Sequence, residues 1–221
     1  MLWDVDYTLL HSGGAGREWS IAALAEVAGV PISYGDIHGM TEKAIVYAAL
    51  RDAGIEPAPA LLERYERVIA ARYARDAAEL VRRGGVMPGA RAALAALSAR
   101  AGVVQTVVTG NVPAVAAAKL RAFDLDGHLD LRVAAYGLDH EDRGELVRLA
   151  VRRAGMAAAD AVVVGDTVND VLGGRSAGVR VVAVATGAAP VEELAAAGAD
   201  RVLPDLTDTP GVLAALVGPG R

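Results

Sequence analysis

A chain of 221 residues with a formal net charge of −5 is long enough to bury a substantial core, and its acidic balance argues against a general affinity for nucleic acid or anionic membranes. It has no cysteine, which excludes disulfides, thiolate chemistry and thiolate metal sites, so any metal must bind through oxygen or imidazole. Hydrophobic residues make up 53% of the chain with only one Phe and two Trp, so the core is expected to consist mainly of Ala, Val and Leu.

The N-terminal segment LWDVDYTLL (2–10) is a very short apolar run that carries Asp4 and Asp6 two positions apart. It has no basic leader and no long apolar stretch, and no later run reaches the roughly 18 residues of a membrane helix, so a cytoplasmic location is the simplest expectation. Residues 13–83 carry helical periodicity without a clear strand, between the Gly-rich segments HSGGAG (11–16) and RRGGVMPGA (82–90). This predicts a helical unit inserted after the first strand, with Gly-rich hinges and a discontinuous core formed by 1–12 and 84–221. A helix is predicted over 89–101. Val-rich runs at 102–111, 131–135, 161–166 and 179–187 then alternate with helical patterns at 112–123, 143–155 and 170–178, and a strand at 199–206 and a helix at 209–217 close the chain. Uninterrupted apolar strands separated by helices predict a Rossmann-like α/β fold, a parallel sheet covered on both faces.

In such a sheet, ligands bind in the crevice at the carboxyl ends of the strands. The polar residues lie at those ends: Asp4 and Asp6; Thr109, Gly110 and Asn111; Arg143; Asp166 and Asp170. Clustered carboxylates repel one another unless a cation lies among them, and hard oxygen ligands suit Mg²⁺, which often accompanies phosphate-bearing substrates. The Thr109 hydroxyl, the backbone N–H groups of TGN at a helix start and the Arg143 guanidinium are donors suited to phosphate oxygens. Two carboxylates at a spacing of two in an extended segment lie on one side, and so meet one substrate.

DVDYT (4–8), VVTGN (107–111) and VVVGDTVND (162–170) resemble, in order and spacing, three motifs of the haloacid dehalogenase (HAD) superfamily. The helical insertion resembles its C1-type cap, and GMTEKAI (39–45) and DRGELVRLA are similar to the phosphoglycolate phosphatase-like branch. The resemblance implies an Mg²⁺-dependent phosphatase of a small phosphorylated metabolite, with Asp4 as nucleophile and Asp6 as general acid and base. It implies Mg²⁺ on Asp4, the Asp6 backbone carbonyl, Asp166 and Asp170, with the phosphoryl group held by Thr109, Gly110, Asn111 and Arg143. Tyr7 stands where the first motif most often has Gly. The cation of the third motif is usually Lys; here Arg143 takes its place, with Lys119 as a rival whose position inside a helix points instead to the surface. The shortness of the first strand leaves room for a start upstream of Met1.

Gly39, Met40, Thr41 and Glu42 either meet the substrate's leaving group, Thr41 in particular, or merely cap a helix. Arg17 either reaches the substrate or merely begins a solvated helix. His11, His38, His128 and His140 show no metal-like pairing and read as surface or loop residues. A sugar-phosphate mutase of the same superfamily and a non-catalytic phospho-accepting protein are the alternative functions. Monomer and homodimer are equally compatible with the sequence.

Overall fold

Valine runs make strands where both faces of the pleat can be covered, since β-branched side chains pack well on a pleated surface. The computed structural model describes residues 1–33, 35, 37 and 39–217. Its elements are β1 (Leu2–Trp3), β2 (Leu10–His11), α1 (Ala15–Ala28), α2 (Glu42–Asp52), α3 (Pro59–Arg75), α4 (Ala77–Arg83), β3 (Gly85–Val86), α5 (Ala90–Ser98), β4 (Thr106–Val107), α6 (Pro113–Ala122), α7 (Arg143–Arg153), β5 (Val162–Gly165), α8 (Val168–Ser176), β6 (Arg180–Val184), α9 (Val191–Ala196), β7 (Arg201–Leu203) and α10 (Thr209–Val217).

Five parallel strands form the main sheet in the order β4–β1–β5–β6–β7. β1 lies inside the sheet, between β4 and β5: Leu2 pairs with Thr106 and Val163, and Trp3 with Val107 and Val164. The period of two then sorts side chains between two apolar layers. Trp3, Val107, Val162, Val164, Val182 and Val184 join the layer that includes α5, α6, α10 and the buried side chains of α1–α4. Leu2, Val108, Val163, Val181 and Ala183 join the layer of α7, α8 and α9. Each fully buried Val or Leu contributes roughly 1.5–3 kcal/mol, so the two layers together clamp even an interior strand of two residues.

The run at 131–135 departs from expectation. It touches the sheet only through a bridge between Val108 and Ala135, with Asp130 N–H donating to Gln105 O at 2.7 Å and Ala135 N–H to Val107 O at 3.0 Å. Arg132 between them turns outward to pair with Asp130, so the backbone leaves the ladder. Helix α9 was not legible in the sequence. The Gly-rich crossings into and out of α1–α4 run side by side: β2 and β3 pair antiparallel, and Gly13, at φ 56°, lies so near Arg83 that a Cβ there would stand 2.1 Å from its carbonyl oxygen. Only glycine fits that turn. Among the described residues no helix is long and apolar enough to cross a membrane.

Candidate active site

The ends of β1, β4 and β5 converge, as the sheet order requires, on a cavity of about 270 Å³ lined by Asp4, Asp6, Thr109, Gly110, Asn111, Arg143 and Asp166 on one side and by Arg17, Ser20, Ile37, Met40, Glu42 and Ile69 from the helical segment on the other. Asp4 leaves β1 with its N–H bound to Val164 O at 2.8 Å, which fixes the direction of its side chain. The carboxylate is buried against Arg143, whose Nη2 donates to Asp4 Oδ1 at 2.6 Å, Asp170 Oδ1 at 2.5 Å and Val108 O at 3.0 Å. Burial disfavours the Arg143 charge, but Asp170 and Asp4 outweigh it and raise its pKa. Gly173 makes room, since a Cβ there would stand 2.8 Å from Arg143 Cγ.

Asp166 and Asp170 flank the start of α8. Asp170 closes a reciprocal cap with Thr167, accepting from its N–H at 3.1 Å and its hydroxyl at 2.6 Å while its own N–H donates to Thr167 Oγ1. It is thus a first-turn acid of the helix and an ion-pair partner at once. Asp166 Oδ1 accepts from the Thr8 hydroxyl at 2.8 Å. Carboxylate oxygens of Asp4, Asp166 and Asp170 all lie within 4.8 Å of one another. Burial, offset in part by Arg143, pushes the Asp4 pKa up to about 7, and burial together with the Asp4 and Asp170 charges pushes Asp166 up to about 9. Asp4 Oδ2 and Asp166 Oδ2 have no protein donor among the described residues. Hard oxygens that face the cavity, short of donors and mutually repelling, fit a divalent cation such as Mg²⁺.

Lys119 corrects the expectation of a surface role. It is 3% exposed, and Nζ lies 2.8 and 2.7 Å from the two Asp6 carboxylate oxygens and 2.7 Å from Asn111 Oδ1. Val115, Ala116, Lys119 and Leu120 share the buried face of α6, so the helical period carries the lysine inward, where its ammonium stands 5.7 Å from the centroid of the Tyr73 ring. Burial pulls that ammonium down, but the Asp6 charge outweighs it and holds it above the ordinary lysine value. A lone lysine in an otherwise apolar stripe was the signal in the sequence.

Thr109 is fully buried and accepts from Asn111 N–H at 3.2 Å and Asn111 Nδ2 at 2.7 Å. With both lone pairs engaged, its O–H is the part left to donate. Asn111 also donates to Asp6 Oδ2 at 2.7 Å, so its side chain braces Thr109, Asp6 and Lys119 together. Thr41 does not line the cavity. It caps α2, accepting from Ala44 N–H, and donates to Glu141 O at 3.1 Å. The residue after it faces the cavity: Glu42 Oε1 accepts from Ser20 Oγ at 3.0 Å and from the Tyr65 hydroxyl. Burial raises the Glu42 pKa, while the Tyr65 and Ser20 donors and then the Lys119 charge pull it back.

Backbone bonds dock α2 on the sheet end, from Glu42 N–H to Gly110 O at 2.8 Å and from Lys43 N–H to Gly137 O at 3.0 Å. Tyr7, at φ 56° and 41% exposed, stands at the cavity rim, and its carbonyl accepts from Thr186. Arg17 lines the cavity and donates to Gly35 O at 3.0 Å. His11, His128 and His140 lie away from the cavity lining, and His38 lies outside the described residues.

A family model described as haloacid dehalogenase-like hydrolase matches residues 1–175, and a related hydrolase-like model matches residues 143–209. Phosphoglycolate phosphatase of Caulobacter vibrioides is 32% identical over 200 residues, covering 85% of this chain and 78% of that protein. A plasmid-borne phosphoglycolate phosphatase of Cupriavidus necator is 30% identical over 223 residues, covering 96% and 92%. The crystal structure of a hydrolase from Pseudomonas syringae shares the fold with a TM-score of 0.69 at 23% identity, covering 95% of each chain.

Proposed function

Because the chain belongs to the haloacid dehalogenase-like hydrolases and is a phosphoric monoester hydrolase, we propose that it hydrolyses a small phosphorylated metabolite through an aspartyl-phosphate on Asp4. The observation that carries this reading is the pairing of Asp4 with Arg143 and of Asp6 with Lys119 in one cavity that also holds Thr109. Asp4 attacks phosphorus, its oxygen–phosphorus bond forming as the ester bond breaks, and the leaving oxygen takes a proton from Asp6. Asp6 then takes a proton from water as the water attacks the same phosphorus, which releases phosphate and restores Asp4. The Thr109 hydroxyl and the Gly110 N–H donate to the phosphoryl oxygens, and Arg143 balances their charge; such donors are each worth on the order of 10²–10³ in rate. Asp4, Asp166, Asp170 and the Asp6 backbone carbonyl would hold Mg²⁺, which when bound neutralises the carboxylates and polarises the phosphoryl group. The helical segment 13–83 serves as a cap over the discontinuous core of 1–12 and 84–221, shielding the reaction from bulk water.

Phosphate release from p-nitrophenyl phosphate and a set of metabolite phosphates, with Mg²⁺ or EDTA, tests the reading. Turnover that requires Mg²⁺ and is lost in Asp4→Asn is expected. Undiminished turnover in Asp4→Asn would overturn it.

A further inference from the structure

The part of the cavity that would receive the leaving group carries a carboxylate of its own. Glu42 lies at the start of α2, oriented by Ser20 and Tyr65, whose hydroxyls stand 2.7 Å apart and both meet Oε1. Oε2 has no donor among the described residues. Ile37, Ile45 and Ile69 complete this wall. The cations that line the cavity already have partners: Arg143 holds Asp4 and Asp170, Lys119 holds Asp6 and Asn111, and Arg17 donates to Gly35 O. A phosphoryl group enters at the Arg143 and Lys119 end, so the rest of a small ester reaches toward Glu42.

We propose that Glu42 is a specificity-determining residue that selects leaving groups ending in a hydrogen-bond donor, a hydroxyl or an ammonium, and excludes those ending in a carboxylate. This rests on the phosphatase reading above. A substrate carboxylate here would set its lone pairs against those of Glu42 and find the lining cations already engaged, whereas a hydroxyl or ammonium would donate to the open oxygen of Glu42. A site whose polar atom needs a donor discriminates strongly against a ligand without one, because the acceptor is left unpaired once the ligand displaces its water. On this reading the chain differs in substrate from the relatives named for phosphoglycolate, whose organic part ends in a carboxylate.

Three esters that differ only at the far carbon test it: 2-hydroxyethyl phosphate, O-phosphoethanolamine and 2-phosphoglycolate. The wild-type enzyme is expected to hydrolyse the hydroxyl or the ammonium ester with kcat/KM at least about tenfold above that for phosphoglycolate, and the faster of the two identifies a neutral or a charged donor. Glu42→Gln, which keeps the shape and the Oε1 bonds, is expected to shift the ratio of phosphoglycolate to phosphoethanolamine about tenfold or more toward phosphoglycolate. A general structural role would slow all three esters alike and leave that ratio unmoved. Preference of the wild type for phosphoglycolate would overturn the inference while leaving a phosphatase, as would an unchanged ratio in Glu42→Gln. Absence of turnover on every ester would overturn the phosphatase reading, and this one with it.

Discussion

The Lys119 ammonium bridges both carboxylate oxygens of Asp6, at 2.8 and 2.7 Å, across 113 residues of sequence. It therefore fixes the rotamer of the proposed acid and base, as Arg143 holds Asp4. Lys119→Met keeps the stem and removes the charge. We expect kcat to fall about 10²-fold, since displacing a reacting group by about 1 Å carries a penalty of that size. The Asp6 side chain is 31% exposed and regains water in the variant, so the thermal midpoint is expected to move little. A kcat within threefold of wild type would show that Asp6 needs no such brace.

Arg143 makes its three contacts through one nitrogen, Nη2, rather than through the planar fork. Lysine, a point charge with three donors, can reproduce that arrangement in part, even though the two residues are not interchangeable at bidentate sites. Arg143→Lys is expected to retain kcat within about tenfold, whereas Arg143→Met leaves buried carboxylates uncompensated and loses roughly 3–5 kcal/mol of stability. Urea unfolding and steady-state kinetics on both variants check this; equal damage in the two would refute it.

In EDTA, the raised pKa values of Asp4 and Asp166, about 7 and about 9 against 3.8 for a free side chain, mean that the folded chain binds more protons than the unfolded one from about pH 4 to about pH 9. Unfolding free energy then falls as pH rises through that window, because its slope follows the difference in bound protons. Mg²⁺ favours the ionised carboxylates and is expected to flatten the decline, so its stabilising effect grows with pH. Differential scanning fluorimetry from pH 5 to 9, with and without Mg²⁺, reads both slopes; a constant Mg²⁺ effect across the range contradicts the shifted pair.

A Cβ on Gly137 would lie 1.7 Å from Gly110 O and 2.7 Å from Glu42 N. Both neighbours are backbone and cannot rotate away, so Gly137→Ala must displace the TGN loop or the start of α2. We expect a loss of about 1–3 kcal/mol, the usual range for overpacking, with a loss of activity beyond what unfolding explains. Gly127→Ala, with nothing within 4 Å, is the matched control and is expected to leave activity unchanged.

The alternation of Val runs with helical patterns, and the placing of Asp4, Asp6, Thr109, Asp166 and Asp170 where apolar runs end, could be read directly from the chain. Both follow from local rules: the period of two or 3.6 that burial imposes, and the cost of a carboxylate inside an apolar strand. The partners of these groups could not be read in this way. Thr8 meets Asp166 across 158 residues and Arg143 meets Asp4 across 139, and no local period encodes a contact of that span. Lys119 looked like a surface residue until the packing of α6 turned it inward, and Thr41 and Glu42, which the sequence left together between leaving group and helix cap, were separated because the cap geometry of α2 turns the first to the Glu141 carbonyl and the second to the cavity. The residue types that the chemistry requires were thus a property of the sequence. Which cation serves which carboxylate, and that Glu42 faces the cavity, was decided by the sheet order and the docking of α2, because electrostatic pairing depends on distance in space and not on spacing along the chain.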